Sequence, residues 1–448
     1  MIEGLSMSEL VRYEILQRKQ EGCRVPEYDL TGLCDDELKK IYSDLCSLPI
    51  REDFPFYEPS GLDEILRCSD VCEYKKTPDK STLDDKFYGA WLGRIIGCIM
   101  GKPIELYPYG SGDDDRRGWE YIKLWQECAG DAFPPRDYIS GRSAAREKYG
   151  LSVFCEDSLK ENVRFAESDD DIRYLVLALL INEKYGNDFT PSDVADMWQK
   201  YLPLSLCFTA EHAALINSVT CPEKDVEKQI EFCHGHKNPY REWIGAQIRV
   251  DHYGYYNAGD PYAAAVSAYN DAIFSHVKNG VYGAMFFAAL IAAAFTEKDI
   301  EKCISVALSF VPKKSRLYAD ILFAVKAAKD CANADDLYKK LWDRFGDLPA
   351  VHTNNNAAVC VASLIFGKGD FLSSVSTAVG AGWDTDCNGA TVGSIMGALN
   401  GSADIPDHLK APLGDTLYSS IPGFHPIAIS ECARRSARLY SSRHAGND

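Results

Sequence analysis

The sequence predicts an all-α protein with a compact multi-helix core, and three observations support that prediction. The polar/apolar alternation typical of strands is almost absent from the chain. The longest uncharged apolar run, Val281 to Phe295, is rich in alanine and shorter than the roughly 20 residues that a membrane span needs. Two other segments carry a glycine at every fourth position. These patterns favour closely packed helices and argue against insertion into a membrane.

The composition is typical of a globular protein with a sizeable core. The chain has 448 residues, of which 46% are hydrophobic and 25% are charged, and its formal net charge is -18. A charge of this sign argues against a nucleic-acid duplex or an anionic membrane surface as partner, because their phosphates would be repelled. Sixteen cysteines are scattered along the chain and the start, Met1 to Gly4, is acidic and polar, so we expect reduced thiols and a cytoplasmic location. The sequence leaves the oligomeric state open.

Residues 1–80 are predicted to form a helical N-terminal extension of unassigned role. Val11 to Gln17 and Asp36 to Leu48 have helical spacing, and proline, glycine and aspartate separate them. The charged segment Lys75 to Lys80 is interpreted as a linker. It leads into an all-α domain over residues 81–448.

Thr82 is predicted to cap a helix that runs from Asp84 to Met100. This helix and a second one near the C-terminus both carry glycine at four-residue spacing. The glycines are Gly89, Gly93, Gly97 and Gly101 in the first helix, and Gly389, Gly393, Gly397 and Gly401 in the second. Glycine inside a helix costs about 1 kcal/mol relative to alanine. Two such stripes therefore indicate that helix backbones approach closely, and these two helices are a candidate pair.

Between the glycine-striped segments the chain is predicted to be mostly helical. Residues 106–165 are polar and contain Pro134-Pro135, which indicates a long excursion over the surface. The helical patterns that follow run from Pro191 to Tyr201, Glu211 to Ser218, Pro261 to Ser275, Gly283 to Phe295, Ile300 to Leu308, Leu317 to Ala332, Ala334 to Phe345 and Asn356 to Phe366.

Two acidic clusters each precede an apolar helix. Glu167 to Asp171 lead into the apolar segment Ile172 to Ile181, and Asp384 and Asp386 precede the second glycine stripe. A single aspartate at a helix start is usually a cap. Two clusters with this placement predict a shared site for hard divalent cations, which prefer oxygen ligands. The exposed-looking run Asp113 to Asp115 is followed by arginines and is interpreted as a solvated loop.

Three motifs, in order along the chain, resemble those of the ADP-ribosylglycohydrolase family. Gly89-Ala90-Trp91-Leu92-Gly93 continuing to Gly101-Lys102-Pro103-Ile104-Glu105 is similar to its N-terminal signature. Ser168-Asp169-Asp170-Asp171 is similar to its Thr-Asp-Asp-Thr motif, and Gly382-Trp383-Asp384-Thr385-Asp386-Cys387 to its Gly-x-Asp-Thr-Asp-Thr motif. Asn238 to Gly245 and Ser275-His276 also fit. The resemblance covers roughly residues 84–435.

The resemblance implies an all-α fold around two Mg²⁺ ions, for which Mn²⁺ can substitute. The ions lie in a cleft that binds ADP-ribose and supports hydrolysis of an α-glycosidic bond at the distal ribose. The implied metal ligands are Ser168, Asp169, Asp170, Asp384 and Asp386, with Cys387 at the position of the family's last threonine. We expect Asp170 or Glu105 to carry the proton transfer that the reaction needs.

Two cysteines depart from the family pattern, and both affect the metal prediction. Cys387 offers a thiol, which is a poor ligand for a hard cation, so the number of ions is left at one or two. Cys98 stands where many relatives carry aspartate.

Further residues are predicted to bind substrate. His276 matches a position that lines the family's cleft, although a structural histidine is an equal reading of the sequence. Asn355 and Asn356 open a helix, where they either cap it or bond to ribose or pyrophosphate. Gly382 and Trp383 belong to the third motif, and Trp383 either stacks on the sugar or packs in the core.

Three functional hypotheses follow from the sequence. The first is a Mg²⁺-dependent hydrolase that releases ADP-ribose from a modified side chain or a small conjugate. The second is a nucleosidase-like N-glycoside hydrolase acting on a related nucleotide. The third is a non-catalytic binding or structural member of the family, which the retained aspartates disfavour and Cys98 and Cys387 favour.

Overall fold

Helices form nearly all the regular structure of the protein, whose computed structural model describes residues 5–444. In chain order the α-helices are α1 (Met7–Gln20), α2 (Asp35–Cys46), α3 (Leu62–Arg67), α4 (Leu83–Gly101), α5 (Gly118–Ala129), α6 (Ala145–Tyr149), α7 (Asp170–Tyr185), α8 (Pro191–Tyr201), α9 (Thr209–Thr220), α10 (Val226–Gly235), α11 (Asp251–Tyr256), α12 (Pro261–Ala272), α13 (Lys278–Ala294), α14 (Ile300–Leu308), α15 (Arg316–Asp330), α16 (Ala334–Phe345), α17 (Thr353–Phe366), α18 (Phe371–Gly380), α19 (Thr385–Asn400), α20 (Asp407–Lys410) and α21 (Ile429–His444). One antiparallel pair of short strands, β1 (Thr416–Leu417) and β2 (Ile427–Ala428), pairs Thr416 with Ala428. The all-α prediction is confirmed.

The apolar run predicted as a buried helix forms the centre of the core. In α13 every residue from Asn279 to Ala294 is buried. The helix packs against α12, α14 and α11, and its alanines allow these neighbours to approach closely. Within residues 5–444 no helix combines the length and the apolar character needed to cross a bilayer.

The two glycine-striped helices, α4 and α19, pack directly against each other in antiparallel orientation. A Cβ added to Gly93 would lie 2.8 Å from the carbonyl carbon of Gly393, and one added to Gly97 would overlap the carbonyl oxygen of Gly389. The reverse additions on α19 would meet the α4 backbone in the same way. The predicted close approach is therefore confirmed, and the backbones of the two helices are in contact because neither stripe carries side chains.

Thr82 occupies the predicted N-cap position of α4 but does not cap the helix. Its side-chain hydroxyl donates to the backbone carbonyl of Asp79 at 3.3 Å, and the helix begins at Leu83. The predicted cap is wrong because the backbone of Thr82 is close to helical, with φ -115° and ψ -8°, whereas a capping residue is typically extended so that its oxygen can accept from the first turn.

Residues 106–165 do not simply follow the surface as predicted. The segment forms α5 and α6, and α5 buries Trp119, Ile122 and Trp125. The polar residues around these aromatics made the segment look solvent-exposed in the sequence. Helices α8, α14 and α16 match their predicted bounds, whereas several others, among them α5, α10, α18 and α21, were not predicted.

The N-terminal extension is docked on the domain through buried charges. Arg241 lies between two glutamates of α1, with Nη1 2.9 Å from Glu14 Oε2 and Nε 3.0 Å from Glu21 Oε1. Gln17 donates to Glu242 at 2.9 Å. The first four residues, which include the acidic start used in the location argument, lie outside the described residues.

The segment predicted as a linker is also paired with the domain. The Lys76 backbone N–H donates to the carbonyl of Gly259 at 2.9 Å, and its ammonium contacts Glu297. The segment therefore runs along the domain surface, because these two contacts hold it there.

Replacing Glu14 by glutamine is expected to lower the free energy of unfolding by about 2 kcal/mol, since a buried hydrogen-bonded charge pair with Arg241 is lost. The measurement is urea denaturation. Asp36→Asn is the matched control, because Asp36 forms an exposed ion pair with Lys39 in the same extension. Equal midpoints for Glu14→Gln and the unmodified protein would contradict the docking described here.

Candidate metal centre

Both predicted acidic motifs open onto one cavity of about 520 Å³. It lies where the C-terminal end of α4 meets the N-terminal ends of α7 and α19. The predicted site residues that line it are Glu105, Ser168, Asp169, Asp170, Trp383, Asp384, Asp386 and Cys387. Residues more than 200 positions apart in the sequence are brought together because α4 and α19 pair through their glycines.

The glycine contact extends to the edge of the cavity. Gly101, the last residue of α4, packs against the backbone of Thr385 and Asp386, and its carbonyl accepts from Thr385 Oγ1 at 2.9 Å. Glu105 follows a short 3-10 turn, Lys102–Ile104. The side chain of Glu105 is therefore held beside the aspartates of α19.

A turn with two left-handed residues directs the third motif into the cavity. Gly382 has φ +79° and Trp383 has φ +59°. The Trp383 ring stacks on Trp342, with ring centroids 4.2 Å apart and an interplanar angle of 9°. This stacking stabilises a backbone conformation that is unfavourable for a bulky residue. Trp383 lines the cavity, whereas Gly382 serves the turn behind it.

The start of α7 presents the second motif. Asp169 is the N-cap residue, and its Oδ1 accepts from the backbone N–H of Asp171 at 3.0 Å. Asp171 itself is fully buried and forms a 2.7 Å ion pair with Arg94, which also pairs with Asp251 at 2.9 Å. Asp171 therefore helps to anchor α7 to α4 and α11.

The carboxylates form two groups that a cation fits. Ligand atoms of Cys98, Asp169, Asp171 and Asp386 lie within 4.8 Å of one another, and so do those of Asp384, Asp386 and Cys387. The buried oxygens Asp386 Oδ1 and Asp171 Oδ2 have no hydrogen-bond partner among the described residues. Buried oxygens without a partner are costly, and a bound cation would satisfy them.

Burial and neighbouring carboxylates raise the pKa of two carboxyl groups in the cavity. Burial, together with the neighbouring Asp386, raises the pKa of Glu105 far above its usual range. Burial and Asp169 raise the pKa of Asp170. Burial also opposes ionisation of Asp169, but Lys102 holds the pKa of that carboxyl below its usual value. Burial and the neighbouring carboxylates therefore disfavour the ionised forms of Glu105 and Asp170 in this arrangement.

Cys387 lies at the boundary between the acidic group and an apolar cluster. It is buried and packs with Ile244 and Ile248. The Cys387 sulfur and a carboxylate oxygen of Asp384 lie within 4.8 Å of each other. Its position thus combines the two roles considered from the sequence, a place beside the aspartates and a packing contact.

His276 does not line the cavity. It is fully buried behind Glu211, with Nδ1 2.8 Å from Ser275 Oγ and Nε2 3.9 Å from Glu211 Oε1. Burial and the nearby Arg249 lower the pKa of the imidazole well below its usual value. The predicted direct contact with substrate is wrong, because Glu211 and Gly245 stand between His276 and the cavity wall.

Asn355 and Asn356 are also withdrawn from the cavity. The Asn355 amide donates to the carbonyl of Pro349 at 3.1 Å. Asn356 donates to the carbonyl of Ala350 at 2.8 Å, and its oxygen accepts from Asn388 at 2.8 Å. These amides hold the loop before α17 against α19, so the predicted contacts with ribose or pyrophosphate are replaced by contacts with the protein backbone.

Several cavity residues were given no role by the sequence argument, among them Lys102, Glu211 and Trp243. Lys102 was quoted within the first motif without a role, Glu211 opened a predicted helix, and Trp243 lay within a matching segment. Glu211 forms a 2.6 Å ion pair with the buried Arg249. A charged residue inside an otherwise apolar or motif segment was the available signal for Lys102 and Glu211.

Comparison with known proteins adds family information. The family model described as ADP-ribosylglycohydrolase matches residues 79–442. A solved chain described as "ADP-ribosylglycohydrolase-related protein complex" is similar with a TM-score of 0.50 and 16% sequence identity, covering 80% of this chain and 98% of that chain. At this identity the likeness concerns the fold. No curated protein matches the sequence.

Proposed function

The chain belongs to the ADP-ribosylglycohydrolase family, and from this premise we propose that it is a Mg²⁺-dependent hydrolase that cleaves the α-glycosidic bond of an ADP-ribose conjugate and releases ADP-ribose. The observation that carries the proposal is the single cavity lined by Glu105 and by aspartates of both motifs. Family membership supports a glycohydrolase of ADP-ribose conjugates. The metal dependence, the bond and the product are our proposal.

We assign the cation-binding role to Asp384, Asp386 and Cys387 at the start of α19, facing Ser168, Asp169 and Asp170 at the start of α7. Mn²⁺ would serve in place of Mg²⁺. Bound Mg²⁺ polarises sugar oxygens and lowers the pKa of water. Oxygen donors dominate the cavity, as such an ion requires.

We assign general acid and general base catalysis to Glu105 and Asp170. Both line the cavity, and burial with neighbouring carboxylates raises the pKa of each. A protonated Glu105 can donate to the leaving-group atom of the glycoside, and Asp170, once ionised beside a bound cation, can accept a proton from the attacking water. Trp383 borders the cavity but is only 1% exposed, and its stack on Trp342 holds the turn that presents Asp384.

The N-terminal extension would support the cavity wall. Its Tyr13 ring lies 5.9 Å from Trp243, a cavity residue, in an edge-on contact. Gln17 holds the adjacent Glu242. We propose that the extension, which precedes the family match, stabilises the Trp243 side of the cleft.

The test is release of ADP-ribose by the purified protein in Mg²⁺, from peptides ADP-ribosylated on arginine or serine and from small ADP-ribose conjugates. Release should stop when EDTA removes the metal and resume when Mg²⁺ is restored. Binding of ADP-ribose without release from any conjugate would favour the non-catalytic alternative. The presence of Cys98 and Cys387 in the acidic groups supports that alternative. Cleavage of unmodified nucleotides alone would favour the nucleosidase alternative.

Changing Cys387 to threonine is expected to tighten Mg²⁺ binding by about tenfold, because a hydroxyl suits a hard cation better than sulfur. Activity should rise at limiting Mg²⁺ and change little at saturation. Calorimetric titration with Mg²⁺ measures the affinity, and Cys432→Ser, which alters a buried thiol on α21, is the control. Superimposable Mg²⁺ curves for Cys387→Thr and the unmodified protein would exclude position 387 from the coordination shell.

A further inference from the structure

Lys102 places a fixed positive charge among the carboxylates of the cavity. Its ammonium lies 2.7 Å from the Ser168 carbonyl oxygen, 3.2 Å from Asp169 Oδ2 and 3.5 Å from Glu167 Oε2. The side chain is only 10% exposed. It projects from the turn after Gly101, whose contact with the backbone of α19 fixes the starting point of the side chain.

We propose that Lys102 replaces one of the two divalent cations that the family resemblance implies, so that this chain binds a single ion, held on the side of Asp384 and Asp386. The inference rests on the proposed function for the identity of the ion. Three observations support it. They are the contacts of Lys102, the hydrogen bonds of the Ser168 hydroxyl, and the different basic partners of the aspartates in the two acidic groups.

The α7 side of the cavity already has its charges and donors in place. A lysine ammonium has three donors and no lone pair. It therefore pairs with a carboxylate oxygen but cannot itself coordinate a metal. A cation beside Asp169 would also be repelled by Lys102. The Ser168 hydroxyl, implied as a ligand, instead contacts Arg173 Nη2 at 3.3 Å and Ser420 Oγ at 2.8 Å.

The donor set on this side is also poor for a hard ion. Its group includes the buried thiol of Cys98, and its Asp171 is paired with Arg94 at 2.7 Å. Sulfur is a weak partner for Mg²⁺. A second ion here would therefore have to displace Lys102 and share Asp171 with an arginine.

The α19 group also contains one thiol, that of Cys387, but its aspartates lack the basic partners found on the α7 side. Among residues 5–444 neither Asp384 nor Asp386 forms an ion pair with a basic side chain. Asp386 is 2% exposed, and its Oδ1 has no hydrogen-bond partner among the same residues. A buried carboxylate oxygen without a partner, aimed into an acidic group, points to a cation at this position.

The test is the Mn²⁺ stoichiometry of the full chain, measured by equilibrium dialysis and by electron paramagnetic resonance. The unmodified protein should bind one Mn²⁺ per chain and give the hyperfine pattern of an isolated ion. Lys102→Gln should bind a second Mn²⁺ and give the spectrum of a coupled pair. Lys86→Gln is the matched control, because Lys86 is also partly buried but donates to the backbone carbonyls of Ala294 and Phe295; it should still bind one ion.

Two Mn²⁺ per chain in the unmodified protein, or one in Lys102→Gln, would overturn the proposal. If Lys102→Gln does not fold, two other variants decide the question. Asp169→Asn should bind the single Mn²⁺ with almost the affinity of the unmodified protein, whereas Asp384→Asn should lose Mn²⁺ binding. Equal losses in these two variants would also overturn the proposal. One bound Mn²⁺ without hydrolysis of any conjugate would refute the proposed function and leave this inference standing. Hydrolysis with two bound ions would support the proposed function and refute this inference.

Discussion

Replacement of Gly97 by leucine is expected to destabilise the protein by about 5 kcal/mol, a loss that only severe overpacking or its equivalents produce. A Cβ at this position would overlap the carbonyl oxygen of Gly389 and lie 2.7 Å from the backbone nitrogen of Ala390. Both obstacles are backbone atoms of α19, so no rotamer change relieves the clash. Alanine should already be destabilising for the same reason.

Chemical denaturation of Gly97→Ala and Gly97→Leu measures the effect, with Gly235→Ala as control. Gly235 also lies in a helix, but no atom lies within 4 Å of an added Cβ, so alanine there should be neutral or slightly stabilising. Unfolding midpoints for the Gly97 variants that match that of Gly235→Ala would refute the backbone contact between α4 and α19.

Replacement of Asp386 by asparagine is expected to lower kcat/KM for an ADP-ribose conjugate by about a hundredfold or more, since loss of even an outer-shell partner of a metal costs 10–100-fold. Asp386 belongs to both acidic groups, so its loss weakens either arrangement of ions. The fold should survive. Burial and the nearby Asp169 raise the pKa of Asp386, so a neutral amide removes a cost of folding.

Steady-state hydrolysis and thermal unfolding of the same Asp386→Asn preparation separate the two effects. Asp114→Asn is the control, because Asp114 lies in the exposed run Asp113 to Asp115 and should leave both quantities unchanged. Full activity in Asp386→Asn would remove α19 from the active site. Loss of activity together with unfolding would show a structural role instead.

The fold class and the centre of the site were predictable from local patterns. Glycine at every fourth position has few explanations other than backbone contact, and the pairing of α4 with α19 confirms that reading. The same pairing brings Glu105 beside Asp386, which the motifs had indicated. These features are encoded in residue type and spacing, so a single sequence reveals them.

The remaining features depend on which atoms face each other after folding. His276 and Asn356 match the chemistry of ligand-binding residues, but their hydrogen bonds go to Ser275 and to the backbone of Ala350. The contact of Lys102 with Asp169 joins residues separated by a surface segment. Sequence spacing carries no information on such long-range choices between a protein partner and a ligand.

The docking of the extension was hidden for a related reason. Glutamate is usually exposed to solvent, so nothing in the sequence marks Glu14 or Glu21 as buried. Arg241, more than 200 residues later, gives both a buried partner. Only the tertiary structure identifies the face of α1 that carries Glu14 and Glu21 as an interface.

The pairing of α4 with α19 also constrains the order in which the chain can fold. Gly97 and Gly389 are separated by 292 residues (389 minus 97), so their contact is among the most non-local in the chain, and such contacts form slowly. Until α19 has been synthesised, the glycine face of α4 has no partner. A ribosome-bound chain that ends before α19 is therefore a natural client for chaperones, and it has no complete cation site, because Asp384 and Asp386 arrive with α19.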